Sequence, residues 1–588
     1  MGGGCAFTED PGAEEFQGLN LNELGVDEAY LRVTSNYTED LYLYTRSGDC
    51  YGCPLSYRQD IIDGQVNCSE NAACEIETAH PWTFFVTTEK KSFLNESHDP
   101  VCSLSNERLG EFGVYDLMID SEGQCQLKTA KEPVYEYGAL IIFLAVYVGL
   151  ALLVWLVEYG RRKEFFEKLT RKLHDSETNL EMSSPPAEDK PPVKRPRVKS
   201  LDTFRGISIM LMVFVNYGGG HYWFMEHATW NGLQVADLVF PWFMWIMGVC
   251  IPMGLRSQLK RNVPWFVILQ RVFKRSLKLF MLGLLQNSLG SPWSGPVMET
   301  FRIPGVLQRF AICYLLVTAI ALAFTPRKPD SMSHGMLLMY EAAQWGVHLA
   351  IVITHTCITF LMPVPDCPTG YLGPGGLHLI QNGEPSPQCI GGAAGEVDRW
   401  ILTSDHIYQN PTAKFTYSSG AFDPEGILGT MLSVFQVFLG LQAGLILQKY
   451  SEHKDRVIRW AIWGAATGIL GTILCFGTMN DGPIPVNKNL WSLSYVMVTS
   501  SFAFFLLAAC YLLIDVWNVW NGSPCYQAGM NSIFMYMGHN VAYSLFPWHW
   551  SIGPMRTHLV LLGECLWGVS LWVITALYLH SIGKFYAV

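Results

Sequence analysis

Charged residues are scarce in this chain of 588 residues. Asp, Glu, Lys and Arg together make up 15% of it, whereas apolar residues make up 50%. A soluble domain carries about 25% charged residues, so the composition argues against a soluble protein of this length. Aromatic residues reach 13%, with 19 Trp. This is typical of membrane proteins, whose Trp and Tyr lie at lipid–water boundaries.

Several catalytic motifs are also lacking. The sequence contains no phosphate-binding Walker loop, no dinucleotide-binding glycine fingerprint, no GxSxG nucleophile elbow and no HExxH zinc motif. The sequence therefore supports neither an ATP-driven reaction nor a protease activity. The first sixteen residues have no apolar core of a signal peptide. Their Gly after Met loosely fits a myristoylation pattern, which the N-terminal cysteines and sequons contradict. We expect the true leader to be missing from this sequence.

The N-terminal part is strongly acidic. Residues 1–136 hold 25 Asp and Glu against 8 Lys and Arg, a balance of −17, and the rest of the chain carries +6. This asymmetry argues against nucleic acid as a partner. It favours an acidic lumenal domain joined to a membrane body with basic cytosolic loops.

The same segment is rich in cysteine and in glycosylation sequons. Seven of the 16 Cys lie before residue 126, and sequons begin at Asn36, Asn67 and Asn95. Together they indicate an oxidising lumen with disulfides and glycans. The cysteines are Cys5, Cys50, Cys53, Cys68, Cys74, Cys102 and Cys125. A zinc site at Cys50 and Cys53 is the alternative, but His pairs at ligand spacing are absent, so we predict no metal.

These patterns divide the chain into four parts. Residues 1–136 contain short aromatic and β-branched runs between turn residues, which predict a small β-sandwich. Residues 137–158 form the first transmembrane helix. Residues 159–203 carry 11 Lys and Arg and a Pro-rich tract, and the positive-inside rule places this linker in the cytosol. Residues 204–588 are predicted to form ten further transmembrane helices, with a long lumenal loop at 363–424.

The predicted fold is thus a polytopic α-helical membrane protein of about eleven spans with a small N-terminal lumenal β-sandwich. Eleven spans place the C-terminus in the cytosol. The ten later helices are expected near 204–220, 234–254, 268–288, 304–325, 341–362, 425–447, 459–477, 491–515, 529–547 and 557–580. In the long loop, Cys367 and Cys389 are expected to bridge to each other or to the N-terminal domain.

Residues 201–250 contain the strongest candidates for catalysis. Asn216 lies near the lumenal end of the second span and is followed by Gly218–Gly220, which let other groups approach the backbone closely. His227 lies in a short lumenal turn, and Asp237 opens the third span. A His at such a mouth with a carboxylate nearby can act as general base or acyl carrier. The alternative is a His that only caps a helix or hydrogen-bonds within a loop.

A basic stripe marks the cytosolic start of the fourth span. Arg271, Lys274, Arg275 and Lys278 follow helical spacing and share one face. The common use of such a stripe is contact with anionic lipid headgroups. The functional interpretation is a site for a phosphorylated cytosolic cofactor. We predict Arg275, Lys278, Lys274, Arg205 and Asn531 as cofactor-binding residues. Asp202 opens the second span beside Arg205, and the two could instead pair only with each other.

Other polar residues interrupt the predicted helices. They are Gln308, Arg309, His348, His355, Asn531 and His539. Such residues normally face the bundle interior or a cavity, so several of them indicate a polar passage. Interhelical hydrogen bonding is the alternative for any single one. A transporter or lipid flippase could also use polar spans, although no inverted repeat is visible in the hydropathy.

The sequence resembles the heparan-α-glucosaminide N-acetyltransferase family, strongly over about 200–545 and more loosely elsewhere. The matching stretches lie at 202–206, 213–220, 227–232, 235–242, 302–309, 367–376, 423–430 and 487–495. The linker at 164–199 differs from the family.

The resemblance implies a lysosomal, multi-pass transmembrane acetyltransferase. It would move the acetyl group of cytosolic acetyl-CoA to the terminal glucosamine amine of lumenal heparan sulfate, and would act as a homodimer. It also implies that His227 is the catalytic base or acyl acceptor. Asn216 would polarise the acetyl carbonyl. Acylation of another glycan is the remaining alternative.

Overall fold

The computed structural model describes residues 15–62, 65–66, 73–94, 98–176, 198–289, 295–326, 334–381 and 383–586. Three predicted features lie outside these residues: the sequons at Asn67 and Asn95, the cysteines Cys5 and Cys68, and most of the linker. Asn36 is described and exposed, as a glycan acceptor requires.

The N-terminal domain consists of short strands, as the aromatic and β-branched runs predict. Two of them, β1 (Glu15–Phe16) and β2 (Leu19–Asn20), pair only with each other. The other ten form one sheet: β3 (Glu28–Ser35), β4 (Leu41–Ser47), β5 (Leu55–Ile62), β6 (Gln65–Val66), β7 (Cys74–Glu77), β8 (Trp82–Thr87), β9 (Phe93–Leu94), β10 (Cys102–Glu107), β11 (Val114–Ile119) and β12 (Cys125–Lys131).

A disulfide joins the two ends of this ten-stranded sheet. Its strand order runs β10-β8-β4-β5-β6-β3-β11-β12, with β7 and β9 paired off the path. A disulfide between Cys102 and Cys125 joins β10 to β12, the two ends of that path. Buried Leu31, Leu43 and Leu117 from separate strands meet in one core. The small β-rich domain is therefore confirmed.

The rest of the chain is mostly helical. The helices are α1 (Gly138–Ser176), α2 (Lys199–Asn216), α3 (Val235–Lys260), α4 (Trp265–Asn287), α5 (Val306–Ala323), α6 (His334–Leu361), α7 (Ala393–Leu402), α8 (Ala413–Tyr417), α9 (Ile427–Lys449), α10 (His453–Cys475), α11 (Leu493–Tyr511), α12 (Cys525–Met530), α13 (Ser532–Val541) and α14 (His558–Ser581). A hairpin of β13 (Gly376–Gln381) and β14 (Glu384–Ser386) precedes α7.

Within the described residues, eight helices are long and apolar enough to cross a membrane, namely α1, α3, α5, α6, α9, α10, α11 and α14. The polytopic helical body is thus confirmed. The other three predicted spans correspond to α2, α4 and the pair α12–α13. Charged residues lower the hydropathy of α2 and α4, and the segment expected at 529–547 is broken at Asn531. The count of eleven spans therefore stays a prediction.

Glycines allow the central helices to pack with their backbones in close contact. A Cβ atom at Gly440 in α9 would overlap the carbonyl of Trp245 in α3, and one at Gly248 would overlap that of Val437. Likewise, Gly529 in α12 packs against the Asp202 carbonyl in α2. Small residues favour this close packing where the hydrophobic effect between helices is absent. These contacts fix α2 and α3, which carry the candidate site.

The N-terminal domain docks on loops of the helical body. Tyr51 donates its N–H to the Tyr417 hydroxyl (3.0 Å), and that hydroxyl donates to the Asp49 carbonyl (3.1 Å). The long loop is held by a disulfide between Cys367 and Cys389, one of the two expected pairings. Cys50 and Cys53 also form a disulfide, so neither thiol is available as a zinc ligand.

Candidate active site

His227 lies in the loop between α2 and α3, where Asp237 holds it. Asp237 is fully buried in the first turn of α3. Its Oδ2 accepts the N–H groups of Ala228 (3.1 Å) and Gln234 (3.0 Å), which fixes the carboxylate at the helix N-terminus. Its Oδ1 lies 2.8 Å from Nδ1 of His227. In the tautomer with the proton on Nδ1, the imidazole donates to this carboxylate and Nε2 carries the lone pair.

The structure pairs His227 with Asp237, the carboxylate that opens the third predicted span. Asp423 and Glu425 pair instead with Arg302, at 2.7 Å and 2.6 Å from its guanidinium nitrogen. Asp405 is exposed in the loop between α7 and α8. The buried guanidinium of Arg309 lies 4.7 Å from the Trp491 ring and donates to the carbonyls of Pro424 and Gly426. Arg302 and Arg309 therefore fix the start of α9.

Lys488 is a component of the site that the sequence patterns did not single out. Its Nζ lies 3.0 Å from Nδ1 of His227 and 3.7 Å from Oδ1 of Asp237. The lysine comes from the loop between α10 and α11, inside one of the stretches that match the family, but nothing local in the sequence links it to His227. Only 15% of its side chain is exposed.

The surroundings of His227 favour its neutral imidazole. Burial, and then the positive charge of Lys488, lower the pKa of His227 below its ordinary value, and the hydrogen bond to Asp237 opposes them. Burial also lowers the pKa of Lys488, against the attraction of Asp237 and Glu425. About a third of the His227 side chain is exposed (34%), and the residue lines a cavity. A neutral imidazole with a free Nε2 can accept a proton or attack a carbonyl carbon.

Asn216 reaches the same cavity and is held by His539. The ring of His539 donates from Nδ1 to the Met535 carbonyl (3.0 Å), so its Nε2 accepts from the Asn216 amide (2.8 Å). Gly218, Gly219 and Gly220 follow with φ of 96°, 58° and 74°. This left-handed conformation suits glycine and ends α2 beside the cavity. The second N–H of the amide remains to donate to a ligand.

The cavity that His227 and Asn216 line has a volume of about 810 Å³. One wall comes from β4, β5 and the loops of the N-terminal domain, and the other from the α2–α3 loop and residues 412–416. A site of this size can take a ligand larger than one sugar ring.

A second cavity of about 330 Å³ lies farther along α2, between α2, α3, α4, α5 and α12. Two of the predicted cofactor residues, Arg205 and Arg275, line it. Arg205 also pairs with Asp202 (3.0 Å), and the Arg275 guanidinium lies 4.7 Å from the Tyr314 ring centre. The cavity therefore combines apolar walls with two guanidinium groups.

The other predicted cofactor residues lie elsewhere. Lys274 and Lys278 are exposed on α4 and are absent from the lining of this cavity. Asn531 is fully buried, donates to the Lys584 carbonyl (3.3 Å) and accepts from Tyr586 N–H (3.0 Å). Asn531 thereby links the C-terminal segment to the break between α12 and α13. Its amide has a structural role there.

One turn of α2 separates the two cavities. Met212 lines the smaller cavity and Val215 the larger one. Three residues of an α-helix rise about 4.5 Å. Tyr536 also lines the smaller cavity, and its ring centre lies 5.7 Å from that of His539. His348 and His355 line neither cavity; His348 instead stacks on Phe438 with ring centres 3.8 Å apart.

Known proteins resemble this chain over most of its length. A family model described as "Heparan-alpha-glucosaminide N-acetyltransferase, catalytic" matches residues 197–359. The heparan-alpha-glucosaminide N-acetyltransferase of Homo sapiens is 38% identical over 598 residues, which cover 95% of this chain and 88% of the human protein. The protein of the same name from Mus musculus is 35% identical over 601 residues, covering 96% and 89% of the two chains.

Proposed function

Because this chain belongs to the heparan-alpha-glucosaminide N-acetyltransferase family, it is a transmembrane N-acetyltransferase, and we propose that it acetylates the terminal glucosamine amine of heparan sulfate with cytosolic acetyl-CoA. The observation that carries this proposal is the pair of cavities on α2, separated by about one helical turn, with His227 and Asn216 at one of them. Only the acetyl group then needs to pass from the smaller cavity to the larger one.

In this proposal His227 handles the proton of the acceptor amine. In an acidic lumen the amine is mostly protonated and must lose a proton before its nitrogen can attack the acetyl carbon. Nε2 of His227 accepts that proton, while Asp237 fixes the ring and Lys488 disfavours a doubly protonated imidazole. As the amine nitrogen bonds to the carbonyl carbon, the thioester C–S bond breaks. The second proton of the nitrogen passes to the departing sulfur, and CoA leaves as the thiol.

Asn216 assists at the acetyl carbonyl. Its amide is held by His539, and its second N–H is free to stabilise the negative charge that develops on the carbonyl oxygen. A preorganised donor of this kind contributes more than a flexible one because it requires no rearrangement during the reaction.

The smaller cavity is the proposed site for the acetyl and pantetheine end of acetyl-CoA. Arg275 and Arg205 offer guanidinium groups to phosphate oxygens there. Lys274 and Lys278 continue the basic stripe on the exposed face of α4, where they would meet the outer phosphates.

The proposal includes the orientation of the chain in the membrane and its location in the cell. Residues 1–136 and 363–424 face the lysosomal lumen, and 159–203 and the C-terminus face the cytosol. The described part of the N-terminal domain supports this with its disulfides and the exposed Asn36 sequon. A homodimer, which the resemblance implies, remains part of the proposal.

Purified protein incubated with acetyl-CoA labelled in the acetyl group and with glucosamine tests the function directly. We expect labelled N-acetylglucosamine from the wild type and from His98→Ala, a lumenal histidine outside the site, but not from His227→Ala. Label carried across proteoliposomes without any acetylated sugar would favour a transporter and contradict the proposal. A labelled adduct on His227 in the absence of sugar would indicate that the imidazole is acylated first.

A further inference from the structure

A buried ionic cluster joins the N-terminal domain to the helical body. Asp27, directly before β3, is buried, and its Oδ1 lies 3.1 Å from Nε2 of His558, the first residue of α14. His558 is also buried, and its Nδ1 donates to the Gly220 carbonyl (2.9 Å). Because a carbonyl and a carboxylate both accept, these contacts favour a doubly protonated imidazole. Buried Glu111 adds a second carboxylate, whose Oε2 lies 3.8 Å from the same Nε2.

A second histidine, His221, contacts the other oxygen of Asp27. Its Nδ1 lies 3.3 Å from Oδ2 of Asp27 and 3.9 Å from Oε1 of Glu226, and His558 is the third charged group that faces it. Glu111 lies behind Asp27, and burial raises the pKa of Glu111 to about 7. The hydrogen bond to Asp27 raises the pKa of His221 above its ordinary value, against the effect of burial. The ion pair is therefore complete in acid and is lost as pH rises through the raised pKa of His221.

The cluster contacts the part of the chain that links Asn216 to His227. Its contacts reach Gly220 and His221, which follow Asn216 by four and five residues. Glu226, which His221 also approaches, directly precedes His227. The two side chains that the proposed reaction uses therefore lie at the two ends of a segment that the N-terminal domain holds.

We propose that Asp27 is a positioning residue, which holds the segment between Asn216 and His227 through His221 and His558 and so fixes the two reacting groups relative to each other. The inference rests on the proposed function, which assigns the reaction to those two groups. A displacement of about 1 Å at a reacting group can cost about 10²-fold in rate. The residues that line the smaller cavity all come from the helical body and the C-terminal segment. Asp27 therefore affects turnover rather than acetyl-CoA binding.

Asp27→Asn in the purified full-length protein is the first test. Asparagine keeps the size of the side chain and tolerates the left-handed backbone at this position (φ 59°). In acid, kcat for glucosamine acetylation should fall by at least about tenfold, whereas the Kd for acetyl-CoA should stay within about twofold of the wild type. Asp40→Asn, at an exposed aspartate of the same domain, is the matched control and should behave as the wild type. Wild-type kcat in Asp27→Asn, or a loss of acetyl-CoA binding together with kcat, overturns the inference.

His221→Gln decides the matter if Asp27→Asn fails to fold. About half of the His221 side chain is exposed (55%), so its replacement removes little buried surface. Glutamine cannot be protonated, so the variant lacks the ion pair that the wild type forms in acid. The ratio of wild-type to variant kcat should be at least about threefold at about pH 5, and should fall towards one as pH rises through the pKa of His221.

The outcomes separate this inference from the function on which it rests. A kcat ratio for His221→Gln that is the same at every pH, or that stays at one, overturns the inference while the proposed function stands. A wild type that acetylates no glucosamine at any pH refutes the proposed function itself.

Discussion

Replacing Lys488 by Met tests whether the lysine keeps His227 active in acid. The substitution removes the positive charge but keeps a long apolar side chain in the same space. His227 then faces only negative groups, Asp237 at 2.8 Å and the more distant Glu425. Since the lysine is one of the two causes that lower the pKa of His227, that pKa should rise. Because only the neutral imidazole can accept a proton, the acid limb of the activity profile should move to higher pH.

The distance sets the size of the shift. At 3.0 Å between Nζ and Nδ1, two unit charges interact by about 5.5 kcal/mol at an effective dielectric of 20 and by about 1.4 kcal/mol in water. One pKa unit corresponds to about 1.4 kcal/mol. We therefore expect the acid limb to rise by at least about one pH unit, with the largest loss of rate below about pH 6.

The assay is kcat/KM for glucosamine acetylation, measured from about pH 4.5 to 8. Lys128→Met, at an exposed lysine of the N-terminal domain, is the matched control and should leave the profile unchanged. An acid limb that stays in place in Lys488→Met, or moves to lower pH, would refute the reasoning. The lysine would then act only as a structural counter-ion of Asp237.

Three further predictions concern the reaction, the cofactor and the fold. His227→Ala should lower turnover by about 10²–10⁴-fold but keep acetyl-CoA binding, because it removes the base and little buried surface. Near-normal turnover in the product assay would mean that His227 has only a structural role in its loop. Charge reversal at both Arg275 and Lys278 should weaken acetyl-CoA binding by about 1.5–3 kcal/mol in a calorimetric titration. Arg275→Glu should account for most of this loss because Arg275 alone of the two lines the cavity; equal effects of the two single variants would contradict that placement. Arg302→Met should lower the free energy of unfolding by about 3–5 kcal/mol, because Asp423 and Glu425 would be left buried without their arginine. An unchanged unfolding transition in detergent would show that these carboxylates reach water.

Hydropathy predicts one helix at 529–547, but the structure contains two helices there. Apolar residues continue through this region, so the pattern predicts a single span. Asn531 interrupts it because its buried amide bonds to the backbone of Lys584 and Tyr586. That tether lies more than fifty residues away, and no local pattern encodes it.

The cofactor residues show a related limit. Helical spacing correctly placed Arg271, Lys274, Arg275 and Lys278 on α4, but spacing on one helix does not reveal what the helix packs against. In the structure Arg275 contacts the Tyr314 ring and lines the smaller cavity, whereas Lys274 and Lys278 do not line it. The role of the stripe in cofactor binding stays a prediction.

The sequence by itself determined the broad architecture. A membrane helix must bond its own backbone and span the hydrocarbon layer, so about twenty apolar residues mark it wherever it lies in the chain. Acidic charge and clustered cysteines mark a separate disulfide-bonded domain for equally local reasons. The candidate His227 and the carboxylate of Asp237 were also visible because they lie only ten residues apart.

Only the tertiary structure decided the electrostatics of the site. Lys488 follows His227 by 261 residues, and its effect depends on a separation of a few ångströms, because Coulomb energy varies inversely with distance. The same holds for the cavity wall that β4 and β5 supply and for the single turn of α2 between the two cavities. These features arise from packing between distant segments, which depends on the three-dimensional fit of side chains and leaves no periodic trace in the sequence.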